Sequence, residues 1–146
     1  MDNQRFNDYI ARFNRRDDTA FDDYLAEDVH VKNGTLEYTG VQGMKDHYAK
    51  IWPTFTEALE PTDFVGSDAN VAIRMVTYFT ADRDDPDSLF GPVVHGDRFE
   101  FRGVISYRLN AEDKFSDILV AYNSFTSIRV DGTVTEMSTE ADVPTI

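Results

Sequence analysis

The sequence predicts a single α+β domain. Apolar residues recur at helical spacing through much of the segment up to Phe55, while three long runs beyond it alternate apolar and polar side chains. With 146 residues, 41% hydrophobic and 13% aromatic, the chain has enough apolar surface for one core with a pocket in it and is short for two domains. The expected domain is 1–146, with its core over about 6–125 and a polar tail from about Ser138.

Phe6, Tyr9, Ile10 and Phe13 form one apolar stripe and predict a first helix from Asn3 to Arg15. Asp17-Asp18-Thr19 offers N-cap chemistry for a shorter second helix through Phe21, Tyr24 and Leu25, closed by Ala26-Glu27-Asp28. Val29, Val31 and Asn33 then share one face of a strand ending at Gly34, with His30 on the other face. A third helix is expected from Gly40: Met44, Tyr48, Ile51, Trp52 and Phe55 make its stripe, His47 adjoins it and Pro53 signals its end.

The alternating runs are Val71 to Phe79, Phe99 to Leu109 and Ile118 to Tyr122, read as long antiparallel strands. Asn110 to Lys114 supplies the turn between the last two. Asp82 to Asp97 is a longer connection, able to fold over a pocket, and Val130-Asp131-Gly132-Thr133 is a hairpin signal.

A formal net charge of -13, from 27 acidic against 14 basic residues, repels phosphate backbones and anionic membrane surfaces, so no nucleic acid or membrane partner is expected. No stretch approaches the ~20 apolar residues of a membrane span, and Met1 to Gln4 has no secretory character, so the expected location is the cytoplasm. The absence of cysteine removes disulfides, thiolate nucleophiles and cysteine-bound metals. The three histidines lack ligand spacing, and the acidic run Asp82 to Asp87 lacks the glycine and closing glutamate of an EF-hand loop, so neither metal nor cofactor is expected.

Tyr9-Ile10-Ala11-Arg12-Phe13-Asn14 with Asp17, Leu25-Ala26-Glu27-Asp28-Val29, Tyr38-Thr39-Gly40 and Val104 to Leu109 resemble, in order and spacing, landmarks of the nuclear transport factor 2-like superfamily. The likeness is to its SnoaL-like, ketosteroid isomerase and limonene epoxide hydrolase members, and it covers roughly Phe6 to Asn123. It implies a cone in which a curved antiparallel sheet wraps N-terminal helices around a hydrophobic pocket. It also implies cofactor-independent acid–base chemistry of the isomerase, polyketide cyclase, dehydratase or lyase kind on a hydrophobic, aromatic or polycyclic small molecule. By the same resemblance Tyr9 stands where the isomerases place an oxyanion-binding phenol. Asn33 stands where they place the proton-moving aspartate and where the hydrolases place an asparagine that helps hold water.

Two positions depart from those patterns. Ile105 replaces an acid of the isomerases and an aspartate of the hydrolases, and Gly103 replaces the hydrolases' neighbouring arginine. An amide is no general base, so the histidines become the base candidates. His47 is the best placed of them, ahead of His95 in the long connection and His30 on the outward face. The candidate catalytic set is therefore Tyr9, Asn33 and His47. Tyr48, Trp52, Phe101, Tyr107 and Tyr122 are the candidate aromatic lining for substrate. Each has a plainer alternative: core packing for the aromatics, a turn role for Asn33 before Gly34, and a structural role for His47. A domain that binds a small ligand or assembles without catalysing is the rival reading, favoured by the departures at Gly103 and Ile105. Arg98, Glu100 and Arg102 around Val104 on the polar side of one strand suit a self-complementary face, so a homodimer is expected.

Overall fold

The computed structural model describes residues 1–137; the expected polar tail from Ser138 lies outside them. The elements run α1 (Asn3–Asn14), α2 (Thr19–Tyr24), β1 (Leu25–Asn33), β2 (Leu36–Thr39), α3 (Gly40–Tyr48), β3 (Phe55–Gly66), β4 (Asn70–Ala81), β5 (Arg98–Leu109), β6 (Phe115–Ile128) and β7 (Val134–Glu136). The strands form one curved, unclosed sheet in the order β2-β1-β6-β5-β4-β3, with β7 paired to β6, and the helices fill its concave side as a cone.

α1 starts because the Asp2 side chain accepts from the Arg5 amide at 2.8 Å, and it buries Phe6, Tyr9, Ile10 and Phe13 as its spacing predicts. Asp17, rather than Asp18, accepts from the Thr19 amide at 3.1 Å at the head of α2. α2 stops at Tyr24. Leu25 already has an extended backbone and pairs with Phe115, so Ala26 to Asp28 belong to β1 and not to the end of a helix. β1 runs parallel to β6, which makes the sheet mixed rather than wholly antiparallel.

α3 is shorter than its apolar stripe. It ends at Tyr48, and Ile51 and Trp52 follow in hydrogen-bonded turns, with the Trp52 amide on Tyr48 O at 2.9 Å and the Phe55 amide on Ile51 O at 2.9 Å. Pro53 disfavours helical geometry at Trp52, so these turns do not propagate as helix. Phe55 then opens β3, a strand absent from the expectation, in which Phe55, Glu57 and Leu59 point inward. β3 is the edge strand beside β4, and the Asn14 amide closes on its backbone by accepting from Leu59 N at 2.8 Å and donating to Leu59 O at 2.9 Å. The end of α1 is thereby tied two residues from Glu57.

β6 carries the main curvature device. Gly103 pairs with Tyr122 and Arg102 with Ser124, so Asn123 is an inserted residue. Inward side chains on β6 are accordingly Ile118, Val120 and Tyr122 before the bulge and Phe125 and Ser127 after it. The hairpin at Val130 to Thr133 forms as read, with the Arg129 amide on Thr133 O at 2.9 Å.

Two apolar clusters fill the cone. One gathers Phe6, Tyr9, Phe13, Phe21, Tyr107 and Phe115 around α1 and α2. The other gathers Ile51, Phe55, Phe79, Phe99 and Phe125, with Phe90 from the 82–97 connection packed against it. That connection is anchored at its end by Asp97, a buried carboxylate. Burial pushes it up, but hydrogen bonds from the Val94 and Val130 amides and the Arg129 guanidinium, at 2.9–3.0 Å, more than offset this and hold it below the usual range.

Candidate active site in the cone

Between the two clusters lies a cavity of about 780 Å³, and next to it a narrower recess of about 50 Å³ reaches toward α1. Asn33, His47, Tyr48 and Ile105 stand on walls common to both. The connection 82–97 covers part of the larger one with Leu89, Phe90 and Gly91. Most of the surface is hydrocarbon or aromatic ring, with a few polar groups set into it, which is the usual composition of a small-molecule site.

One of those polar groups is a carboxyl. Glu57 lines the larger cavity and is only 5% exposed. Strand parity puts it there, because it lies between Phe55 and Leu59 on the inward face of β3. Its one hydrogen bond among the described residues comes from the Trp52 indole Nε1 to Oε2 at 3.2 Å. The donor is held in place by rings: Phe21 stacks on Trp52 at 6.0 Å, with Tyr48 at 5.1 Å and Phe13 at 5.7 Å. Burial raises the carboxyl's pKa to about 8, against the smaller opposing effects of the Trp52 bond and the Arg16 charge. At neutral pH Glu57 is thus mostly protonated, with a basic carboxylate form within reach.

Phenols line the adjoining walls. Tyr9 and Tyr107 line the recess, Tyr48 borders both spaces and Tyr38 lines the recess with its hydroxyl donating to Met44 Sδ at 3.1 Å. Burial holds Tyr9, Tyr48 and Tyr107 above the ordinary tyrosine pKa, so all three stay neutral and able to donate. None of the three hydroxyls bonds to another described residue. The proximity of Glu57 also raises Tyr9, Tyr38 and Tyr48, which places the carboxyl and these phenols in one electrostatic neighbourhood.

Of the residues singled out from sequence, Tyr9, Asn33, His47, Tyr48, Phe101, Tyr107 and Tyr122 all line one space or both. Trp52 does not; it acts on the cavity through Glu57. Asn33 also pairs with Leu36 in the β1–β2 hairpin, where Gly34 takes a φ of 61°, so the turn role and the lining role coexist. His47 stacks on Tyr38 at 5.5 Å, and burial followed by the Lys50 charge lowers its pKa to about 4. It is a neutral imidazole at pH 7 and a weak base. His95 is exposed, and His30 sits outside the cone between Asp117 and Glu37 at 2.9 and 2.7 Å.

Glu57 is the ionisable group that reading the sequence missed. Its signal was the inward register Phe55, Glu57, Leu59, concealed because a helical stripe seemed to run through Phe55 and because an acid interrupts the apolar alternation. Gly103 also gains a reason. A Cβ there would lie 2.4 Å from Ala121 O and 2.7 Å from Tyr122 Cα, so the bulge on β6 occupies the space an arginine would need. Among the described residues no group of three or more His, Asp or Glu is placed to hold a metal ion, and no helix is long and apolar enough to cross a membrane.

No curated protein matches the sequence. Solved structures of the same fold include a SnoaL-like polyketide cyclase from Agrobacterium tumefaciens, at 16% identity and TM-score 0.65 over 83% of this chain and 90% of that one. An LEH-like epoxide hydrolase of M. tuberculosis superposes with TM-score 0.64 at 9% identity, over 82% and 80%. A computationally designed 17-OHP binder does so with TM-score 0.65 at 15% identity, over 90% and 95%. Identities this low establish the fold alone. The family described as the SnoaL-like domain matches residues 6–118, most of the chain and every element from α1 into β6, and the protein therefore belongs to that family.

Proposed function

We propose that the protein is a cofactor-independent acid–base enzyme acting on a hydrophobic, ring-bearing small molecule, with Glu57 as the group that carries the proton. The observation behind this reading is a buried carboxyl, with its pKa raised to about 8, set in an apolar cavity beside neutral phenols. As carboxylate, Glu57 removes a proton from a carbon next to a substrate carbonyl. The electron pair moves onto the carbonyl oxygen, where a phenol from Tyr9 or Tyr48 donates a hydrogen bond to the developing oxyanion. The proton held on Glu57 then returns to another atom of the intermediate. Isomerisation, aldol-type cyclisation, and dehydration or another C–O lyase step that eliminates through an enolate all share this first half. Such stabilisation is far stronger in a dry pocket than in water. His47 and Asn33 contribute polar contacts rather than the base. The polyketide cyclase among the structural neighbours fits this chemistry.

The test needs no knowledge of the natural substrate. Proton abstraction is read as exchange of the α-protons of 2-tetralone for deuterium, followed by NMR at pH 7.5. Wild-type protein should accelerate exchange over buffer, and Glu57→Gln should lower the rate by about a hundredfold or more. Exchange no faster than buffer would favour the second reading, a small-ligand binding domain without catalysis. That reading has its own support in Ile105 and Gly103, which leave both relatives' acid sets incomplete, and in the designed binder built on this fold.

We also propose that the protein works in the cytoplasm as a homodimer. Val104 and Leu119 are exposed on the outward sheet face among the charges of β5. Sedimentation showing only a 16.7 kDa species at micromolar concentration would remove the dimer.

A further inference from the structure

The charge balance of the cavity is one-sided. Among the described residues, no lysine or arginine lines either space, and Glu57 is the acid that does. The cation that Glu57 feels is Arg16, and this guanidinium is already paired with Asp82 at 3.1 Å and bonded to Thr56. The other titratable groups facing this space are Tyr9, Tyr38, Tyr48, Tyr107, Tyr122 and His47, the last a neutral imidazole at the pH of the test, and the Trp52 indole occupies Oε2. Oε1 takes no bond from a described residue. Around the cavity stand Tyr48, Phe79, Phe90, Phe101, Tyr122 and Phe125, rings whose faces attract cations.

We propose that the cavity accepts hydrophobic organic ammonium ions, seating the charged nitrogen at Glu57 Oε1 and the hydrocarbon among the aromatic rings. The net charge of -13 adds long-range attraction for a cation. A carboxylate ligand would meet the reverse, a buried anion with no lysine or arginine on the walls to pair with it. This goes beyond the proton-transfer reading, since an ammonium can occupy the cavity whether or not Glu57 turns anything over. Occupancy has a proton signature. Glu57 is mostly protonated at neutral pH and must ionise to pair with the ammonium, so binding releases a proton to solvent and strengthens as pH rises toward 8.

The experiment compares three probes with one ring system: 2-naphthylmethylamine, 2-naphthalenemethanol and 2-naphthoate. Calorimetry at pH 6 and 7, in two buffers of different ionisation enthalpy, gives affinity and proton release together. Wild-type protein is expected to bind the amine at least tenfold more tightly than the alcohol at pH 7 and to bind the acid more weakly than either. Close to one proton should leave per amine bound, and amine affinity should rise about tenfold from pH 6 to 7 while that of the alcohol stays flat. Glu57→Gln should weaken the amine at least tenfold and leave the alcohol within about twofold, which also shows that the variant keeps its cavity. The proposal is overturned if the alcohol matches the amine, if the acid binds as well as the amine, if the amine ignores Glu57→Gln, if its affinity is flat with pH, or if no probe binds. Loss of 2-tetralone exchange with these binding results intact would sink the enzyme reading and leave the ammonium site standing.

Discussion

A carboxyl sealed among rings differs from one at the surface because its charged form loses hydration that nothing nearby fully replaces. Glu57 has the Trp52 indole N–H and the distant, already paired Arg16, too little to offset burial, so its pKa rises instead. The same burial keeps Tyr9 neutral and able to donate. Tyr9→Phe removes that donor and keeps the ring contacts with Phe115 at 5.0 Å and Tyr24 at 5.4 Å. Exchange of 2-tetralone should fall about ten- to a thousandfold. Stability should change by no more than about 0.5 kcal/mol, because no bond within the protein is broken. Unaltered exchange would return Tyr9 to a packing role.

At the scale of elements, the sequence was legible where one side of a segment is apolar throughout. α1, β4 and β5 follow their stripes to within two residues at either end. Legibility failed where a local device broke the period. The apolar stripe predicts a helix from Gly40 that stops at Pro53, whereas the chain leaves helical geometry after Tyr48 and continues through turns that still bury Ile51. β3 stayed unseen because the residue that matters most to the site is an acid on the inward register. Tyr9, Asn33 and His47 could be picked out from sequence and do line the cavities, but the buried carboxyl of Glu57 could not, since burial is a property of the assembled cone. Gly103 was visible only as a missing arginine, while its cause is the bulge across the ladder. Gly103→Ala places a methyl against backbone atoms of Ala121 and Tyr122, which cannot swing aside as a side-chain tip would. A cost of about 1–3 kcal/mol is expected in denaturant unfolding, and an unchanged midpoint would mean that the bulge yields freely.

For the whole molecule, the buried groups give stability a pH dependence whose sign can be worked out. Glu57 has a folded pKa of about 8 against an ordinary 4.5, so the folded state binds the extra proton between these values. Its contribution is fully present below 4.5 and is lost as pH rises through 8. His47, with a folded pKa of about 4 against 6.5, acts oppositely, so its contribution is present above 6.5 and lost as pH falls toward 4. The two oppose each other from 4.5 to 6.5, and from 6.5 to 8 Glu57 acts without that offset. His30, raised by its bonds to Asp117 and Glu37, adds a loss of the same sign as Glu57 on the outer face. Comparison with Glu57→Gln isolates the cavity's share. Wild-type stability relative to that variant should fall by about 1 kcal/mol per pH unit from 6.5 to 8 in urea titrations, and a constant difference would contradict the assignment. The proposed proton transfer and the proposed ammonium binding both depend on one value, the ionisation midpoint of Glu57. Carbon-13 NMR of the Glu57 side-chain carboxyl, identified by the signal missing in Glu57→Gln, measures it directly. A midpoint near 8 is the predicted result, and a midpoint near the ordinary 4.5 would contradict the account.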